Sequence, residues 1–266
     1  MEGEDSQPAE AAKNPYAPLI VEAGNLGEAW ENAVRAMMSR GYERFVKAPE
    51  YQCSTRDAPM FIMVKDPMAE PRLSPKAPLT REMAEQYAQN LIHGLGQEKE
   101  KAFEYTYYSR LRHYPDCAIR AGLPYVAGEA EIEAYKQKVS GGKCCVRKLD
   151  QVKQVIDILR KDPTRRTAVM HTWVPLRDLA KFTPERVDTS SPCLVLMHPQ
   201  LVEGKLHMNV VMKTNDLYNA WSGNAFAFSA LQKYIADEVG VGVGHYNHFS
   251  VAMQVYQDMY DEARKL

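Results

Sequence analysis

In "TSSPCLVLMHPQLVEGKLHMNVVMKTND" a cysteine, Cys193, follows Pro192 directly at the mouth of a strongly apolar stretch. A buried thiol can serve as a small hydrophobe. A nucleophilic one needs a source of positive charge and a general acid or base in reach. Groups of those kinds lie within about sixty residues of one another. Arg165 and Arg166 stand side by side where an amphipathic pattern stops and an apolar one begins. Adjacent arginines are usually solvated, yet guanidinium forks are the preferred partners of phosphate oxygens. In "MKTND", Lys213 and Thr214 offer donors to an anion, and Asp216 can cap the next element. Asn224 enters an otherwise apolar helical pattern. A buried amide must find partners, and one with both donor and acceptor can read the edge of a pyrimidine ring.

The elements that must position these groups follow from the periodicity. "NLGEAWENAVRAMMSRG" and "TREMAEQYAQNLIHGLG" carry apolar residues at helical spacing and end in glycine. "LDQVKQVIDILRKDP" is a clean amphipathic helix, with Val152, Val155, Ile156 and Leu159 on one face. "PMFIMVKDP", "RRTAVMHTWVP", "SPCLVLMHPQLVE", "GKLHMNVVMKT" and "HYNHFSVAMQVY" read as strands, with a hairpin turn at Glu203-Gly204. "AFEYTYYSRLRHYP" reads as a strand or extended loop. "NAFAFSALQKYIADEVG" is expected to be a buried central helix, and "QDMYDEARKL" a terminal one. The hairpin excludes a purely parallel sheet, so the expected class is α+β, one domain over 19–266 with a mixed sheet packed by helices. The Gly240, Gly242, Gly244 series follows a helix and enters a strand, the wrong order for a dinucleotide loop.

Of the 266 residues, 45% are apolar and 25% charged, an ordinary globular mix, and the formal net charge is -1. No excess of Lys and Arg is available for nucleic acid, and no apolar run is long enough to span a bilayer. The acidic "MEGEDSQPAEAAKNPYAP" is expected to be a disordered lead-in over 1–18 rather than an export signal. The five cysteines are Cys53, Cys117, Cys144, Cys145 and Cys193. An odd count without an export signal points to free thiols and a cytoplasmic location. No spacing suits a structural metal, and Cys144-Cys145 after "SGGK" reads as a turn.

Taken in order, the motifs resemble the thymidylate synthase and pyrimidine-nucleotide hydroxymethylase family. The carrying stretches are "LDQVKQVIDILRKDPTRRTAVMHTWVP", "SPCLVLM", "KTNDLYNAWSGNAFAFSAL" and "SVAMQVYQD", with weaker support from "YTYYSRL". The short C-terminus and "YTYYSRLRHY" look most like archaeal-type members. The resemblance implies a homodimer with shared active sites and a pyrimidine nucleoside monophosphate as substrate. It also implies a reduced pterin, of methylene-tetrahydrofolate or methylene-tetrahydromethanopterin type, as one-carbon donor. By the same likeness Cys193 is the nucleophile that adds at C6, with Tyr107 beside it. Arg165 and Arg166 reach the partner's nucleotide phosphate, which Lys213 and Thr214 bind from within the subunit. Asn224 holds the base edge, Asp216 supports ring binding, and Tyr256 bonds the sugar.

Departures from the family pattern are local. Lys213 stands for its phosphate-binding Arg, Gln254 for its sugar-binding His, and Gly223 for the Phe before Asn224. Ala220 and Ser222 stand for its Gly and Pro. Candidates for its catalytic Glu are Glu85 and Glu70. Asn224 favours uracil, since the cytosine-specific branch carries Asp there. The C-terminus, ten residues beyond Tyr256, leans toward a 5-hydroxymethyl product because an open site admits water. The archaeal cast leans toward methyl, so dUMP to dTMP ranks first. A non-catalytic nucleotide-binding homologue is the rival of another class.

Overall fold

The computed structural model describes residues 16–47, 52–95, 105–117, 134, 146–178 and 191–266. Most of the expected lead-in at 1–18 and the turn at Cys144-Cys145 lie outside the described residues. The first half of the chain runs β1 (Leu19–Ala23), α1 (Leu26–Arg40), β2 (Tyr42–Val46), β3 (Cys53–Val64), α2 (Arg81–His93), α3 (Tyr107–Arg112) and β4 (Tyr114–Cys117). Then come β5 (Val146–Leu149), α4 (Gln151–Lys161), β6 (Met170–His171), α5 (Pro175–Asp178), β7 (Leu194–Val202) and β8 (Lys205–Asp216). α6 (Trp221–Val239), β9 (Gly242–Tyr256), a 3-10 turn at Gln257–Met259 and α7 (Tyr260–Ala263) complete it.

Seven strands form one mixed sheet in the order β1-β3-β9-β8-β7-β6, with β2 also paired to β3. The β7–β8 hairpin turns at Glu203 (φ 50°) and Gly204 (φ 72°). Positive φ at both central residues matches the right-handed twist of the strands. β8 and β9 are parallel and joined by α6, as a crossover requires. β4 and β5 form a separate two-stranded ribbon. The structure is thus α+β around a mixed sheet, as expected.

α6 is the buried central helix. Trp221, Ser222, Gly223, Asn224, Ala225, Phe226, Ala227, Phe228 and Ser229 form an unbroken buried run. Such a helix is apolar on every side because strands lie on one flank and helices on the other. Gly223 is where α2 comes close. A Cβ there would sit 3.0 Å from Leu79 and 3.8 Å from Tyr87, so the missing side chain leaves room for both.

Three expectations need correction. The aromatic stretch expected as strand or loop contains α3, whose capping box pairs Thr106 with Ser109. The two reciprocal bonds satisfy orphan N–H groups, so the turn closes despite its β-prone tyrosines. "RRTAVMHTWVP" yields only the two-residue strand Met170–His171, because the loop after it is gathered around the buried ion pair of Arg110 with Asp178. The terminal helix is a 3-10 turn and one α-turn, too short a segment to propagate further.

Candidate active site

Cys193 sits one residue before β7, half-buried against the core. The backbone on both sides of it is tied down. Tyr105 donates its hydroxyl to Ser191 O at 3.1 Å, and Trp173 Nε1 donates to Pro192 O at 2.8 Å. Lys213 N donates to Cys193 O at 2.8 Å, and Leu194 N donates to the Tyr107 hydroxyl at 3.1 Å. Thr172 Oγ1 holds Leu194 O. These bonds fix the backbone that carries the thiol, as a reacting group needs. Thr214 donates its hydroxyl to Cys193 Sγ at 3.3 Å.

The clamp rests on an internal ion pair. Arg110 of α3 meets Asp178 of α5 through two bonds, of 2.6 and 3.0 Å, and also holds Thr172 O at 3.1 Å. Val174 N donates to the same carboxylate at 2.7 Å. Gln151 at the start of α4 completes the seat. It donates to Arg110 O and His171 O and accepts from His171 N. The loop that carries Thr172 and Trp173 is therefore fixed by charge and amide pairing rather than by a strand ladder.

Cys193 opens into a cleft of about 540 Å³, within the usual range for a small-molecule site. Tyr87, Tyr105, Tyr107 and Met212 give it aromatic and apolar walls, while Thr214, Asn215, Asp216, Asn224, Gln254 and Tyr256 bring polar groups. The Tyr107 ring lies 5.8 Å from Phe228, and burial pushes its phenol well above the ordinary tyrosine range. Asp216 accepts from Tyr218 N (3.1 Å), Asn219 N (3.0 Å) and Asn219 Nδ2 (3.0 Å), capping the turn into α6. Burial raises its pKa against those bonds. Gln254 donates to the Tyr256 hydroxyl at 2.6 Å. Asn224 accepts from the Tyr87 hydroxyl at 3.0 Å and donates to Asn215 Oδ1 at 3.2 Å.

Of the residues singled out in the sequence, Cys193, Tyr107, Thr214, Asp216, Asn224, Gln254 and Tyr256 share this cleft. Lys213 does not line it. Its ammonium donates to Ser191 Oγ at 2.9 Å and lies 5.6 Å from the Trp173 ring centre. Arg165 and Arg166 are exposed in the loop after α4, with Arg165 paired to Asp162 at 3.2 Å. Glu70 and Glu85 are gathered by Arg81, at 2.8 and 3.0 Å, on the surface and outside the cleft lining. The Arg81 guanidinium holds Glu70 down to about 2. Asp216 is the one carboxylate among the described lining residues.

Tyr87, Asn215 and Met212 also line the cleft without having stood out in the sequence. Tyr87 falls three residues after Ala84 and four before Leu91, on the buried stripe of α2; that spacing was the available signal. Asn215 lies between two residues that were singled out. Among the described residues no group of three or more His, Cys, Asp or Glu side chains could hold a metal, and no helix is long and apolar enough to cross a membrane.

Residues 87–266 match the family model described as thymidylate synthase. A protein of Methanocaldococcus jannaschii named "Putative thymidylate synthase" is 31% identical over 183 residues, covering 69% of this chain and 67% of that one. A Methanosarcina barkeri protein of the same name is 26% identical over 249 residues, covering 91% of each. The deoxyuridylate hydroxymethyltransferase of Bacillus phage SP01 is 27% identical over 168 residues, covering 62% of this chain and 42% of the phage protein.

Proposed function

The chain belongs to the thymidylate synthase family of one-carbon transferases, and from that premise we propose that it converts dUMP to dTMP with a reduced pterin as donor. The observation that carries the reading is the meeting of Cys193 Sγ, Thr214, Asn224 and Tyr256 in one cleft. C5 of uracil is a poor nucleophile. Addition of Cys193 Sγ to C6 pushes the ring's electron pair toward C5 and O4, and C5 becomes reactive. Expulsion of Sγ after C5 has lost its proton restores the double bond. Thr214 steadies the thiol, and the neutral Tyr107 phenol holds the strand that presents it. Gln254 and Tyr256 face the sugar, and Asn224 reads the base.

The aromatic wall of Tyr87, Tyr105 and Tyr107 suits a flat heterocycle stacked beside the base. Those residues would hold a methylene-tetrahydrofolate or methylene-tetrahydromethanopterin, which supplies an electrophilic carbon when bound. The likeness to the phage hydroxymethyltransferase favours a second reading, in which water rather than hydride completes the product at C5. The capture of Asp216 by its own turn is a feature that a non-catalytic nucleotide binder would also show. Incubation with 5-fluoro-dUMP and, in parallel, methylene-tetrahydrofolate and methylene-tetrahydromethanopterin, followed by intact mass, separates these classes. An adduct on Cys193 supports catalysis, and its absence beside normal dUMP binding refutes it. Product analysis with dUMP then distinguishes methyl from hydroxymethyl.

The same reading makes the enzyme a homodimer. Arg165 and Arg166 stand clear of their own cleft, where phosphate would need them. On the sheet face away from α6, Ile20, Phe61, Phe249, Val211 and Leu196 form one cross-strand row, and Ile20 is 64% exposed. A second copy would cover that row. A cytoplasmic location agrees with the cysteine count.

A further inference from the structure

Behind Asn224 lies a chain of buried polar side chains that the reaction itself does not use. Asn224 Nδ2 donates to Asn215 Oδ1 at 3.2 Å. Asn215 Nδ2 in turn faces Met212 Sδ at 3.2 Å and His248 Nε2 at 3.4 Å. His248 Nε2 also meets Ser250 Oγ at 3.0 Å, and its Nδ1 meets the Tyr246 hydroxyl at 2.9 Å. Asn215 is 3% exposed and His248 and Ser250 are fully buried, so a mismatched partner there is costly.

The donors and acceptors in this chain run in one sense from Met212 to Tyr87 when His248 carries its proton on Nδ1. A thioether sulfur accepts and cannot donate, and Asn215 turns its NH₂ toward Met212. Its carbonyl oxygen then faces Asn224, which must answer with its own NH₂. Asn224 Oδ1 is thereby turned to the Tyr87 hydroxyl, which donates to it at 3.0 Å. His248 fits the same sense with Nδ1 protonated and Nε2 bare, accepting from Asn215 and Ser250. Its burial lowers its pKa to about 3, which keeps the ring neutral.

Resting on the reading of Asn224 as the base contact, we propose that Asn215, backed by Met212 and His248, locks the Asn224 amide in the uracil-reading sense and so sets base specificity. Locked this way, Asn224 keeps a lone pair on Oδ1 for the N3–H of uracil and one N–H for its O4. Cytosine asks for the reverse, a donor to N3 and an acceptor for its amine. A free amide would turn over to meet it, and Asn215 forbids the turn. Asn215 is a positioning residue: it acts through Asn224 and is not assigned a contact with the base.

Two measurements test this. Imidazole 15N shifts, with His248 assigned through His248→Gln, should show the Nδ1–H tautomer. An Nε2–H tautomer would leave His248 no lone pair to accept from Asn215 and overturn the proposal whatever the protein binds. Calorimetric titration with dUMP and dCMP should show a preference for dUMP that falls about tenfold or more in Asn215→Leu. It should return in Asn215→Asp, whose protonated carboxyl keeps C=O toward Asn224 and points O–H at His248. Should Asn215→Leu not fold, Asn215→Ser takes its place, since a hydroxyl imposes no sense on its neighbour. An unchanged preference in the folded variant refutes the lock. Binding of neither nucleotide beside the expected tautomer refutes the pyrimidine-nucleotide reading instead.

Discussion

At Cys193 two roles predict different losses. A packing thiol replaced by serine would destabilise the core, whereas a nucleophile replaced by serine would fold normally and stop working. Because Cys193 is only half-buried and opens into the cleft, Cys193→Ser should keep dUMP affinity within about threefold and lose the adduct with 5-fluoro-dUMP. Tritium release from C5-labelled dUMP should fall by about six orders of magnitude, as when other activated nucleophiles are removed. Residual release near the wild-type rate would assign the chemistry elsewhere. Asn224 makes a second residue-scale test. Asn224→Asp replaces the amine that faces Asn215 with an oxygen, or with an O–H when protonated. The dUMP-to-dCMP activity ratio should fall by about tenfold to a hundredfold, the cost of one mismatched buried pair. An unchanged ratio means that Asn224 merely occupies the first turn of α6.

Among the elements, the loop between β6 and α5 is the most vulnerable to a single substitution. Its backbone depends on Arg110 and Asp178, which are 3% and 0% exposed. Removing one partner of a buried pair strands the other charge, at about 3–5 kcal/mol. Asp178→Ala should therefore lower the unfolding free energy in urea by that amount and release Trp173 from Pro192. Arg110→Met combined with Asp178→Leu should recover most of the loss, because no charge is then left behind. A double variant as unstable as the single one would show that the pair matters through shape alone. Buried within β9, His248 offers a pH test. Its folded pKa is about 3 against an ordinary 6.5, so below pH 6.5 the unfolded chain takes up a proton that the folded one refuses. Stability from this group is complete above pH 6.5 and falls as the pH drops toward 3. The slope is about 1.4 kcal/mol per pH unit between pH 6 and 4. His248→Gln should flatten that part of a urea-melt series, and a slope equal to the wild type's would place a water or a counter-charge beside the ring.

At the scale of the whole molecule, the proposed homodimer would bring Arg165 and Arg166 to a phosphate in the partner's cleft. Arg165 is 58% exposed and Arg166 lies beside it in the same loop. If a partner's nucleotide is their target, an Arg166→Ala subunit and a Cys193→Ser subunit should complement each other. Each is expected to be inactive alone, and the mixed dimer should regain one intact site, about a quarter of wild-type activity after random assortment, on the shared-site arrangement. Heterodimers that form and stay inactive would count against shared sites.

Local signals in the sequence were enough for the parts of the fold whose stability is local. α1, α2 and α4 follow from 3.6-residue periodicity, with Asn25, Thr80 and Asp150 as caps, α6 from its long apolar run, and the β7–β8 hairpin from Glu203-Gly204. Cys193 and Asn224 could be singled out because their types stand out against apolar neighbours, and Tyr256 through the resemblance to the family. Other features came only with the tertiary structure. α3 exists because a capping box and packing outweigh the β preference of its tyrosines. β6 is short because Arg110, distant in sequence, claims the backbone that a longer strand would have used. Tyr87 and Asn215 look ordinary in sequence, and they matter because α2 and β8 converge on Asn224 from opposite sides. Hydrogen-bond sense, burial and charge pairing are properties of neighbours in space. A linear pattern records which residues can make them, and folding decides which of them meet.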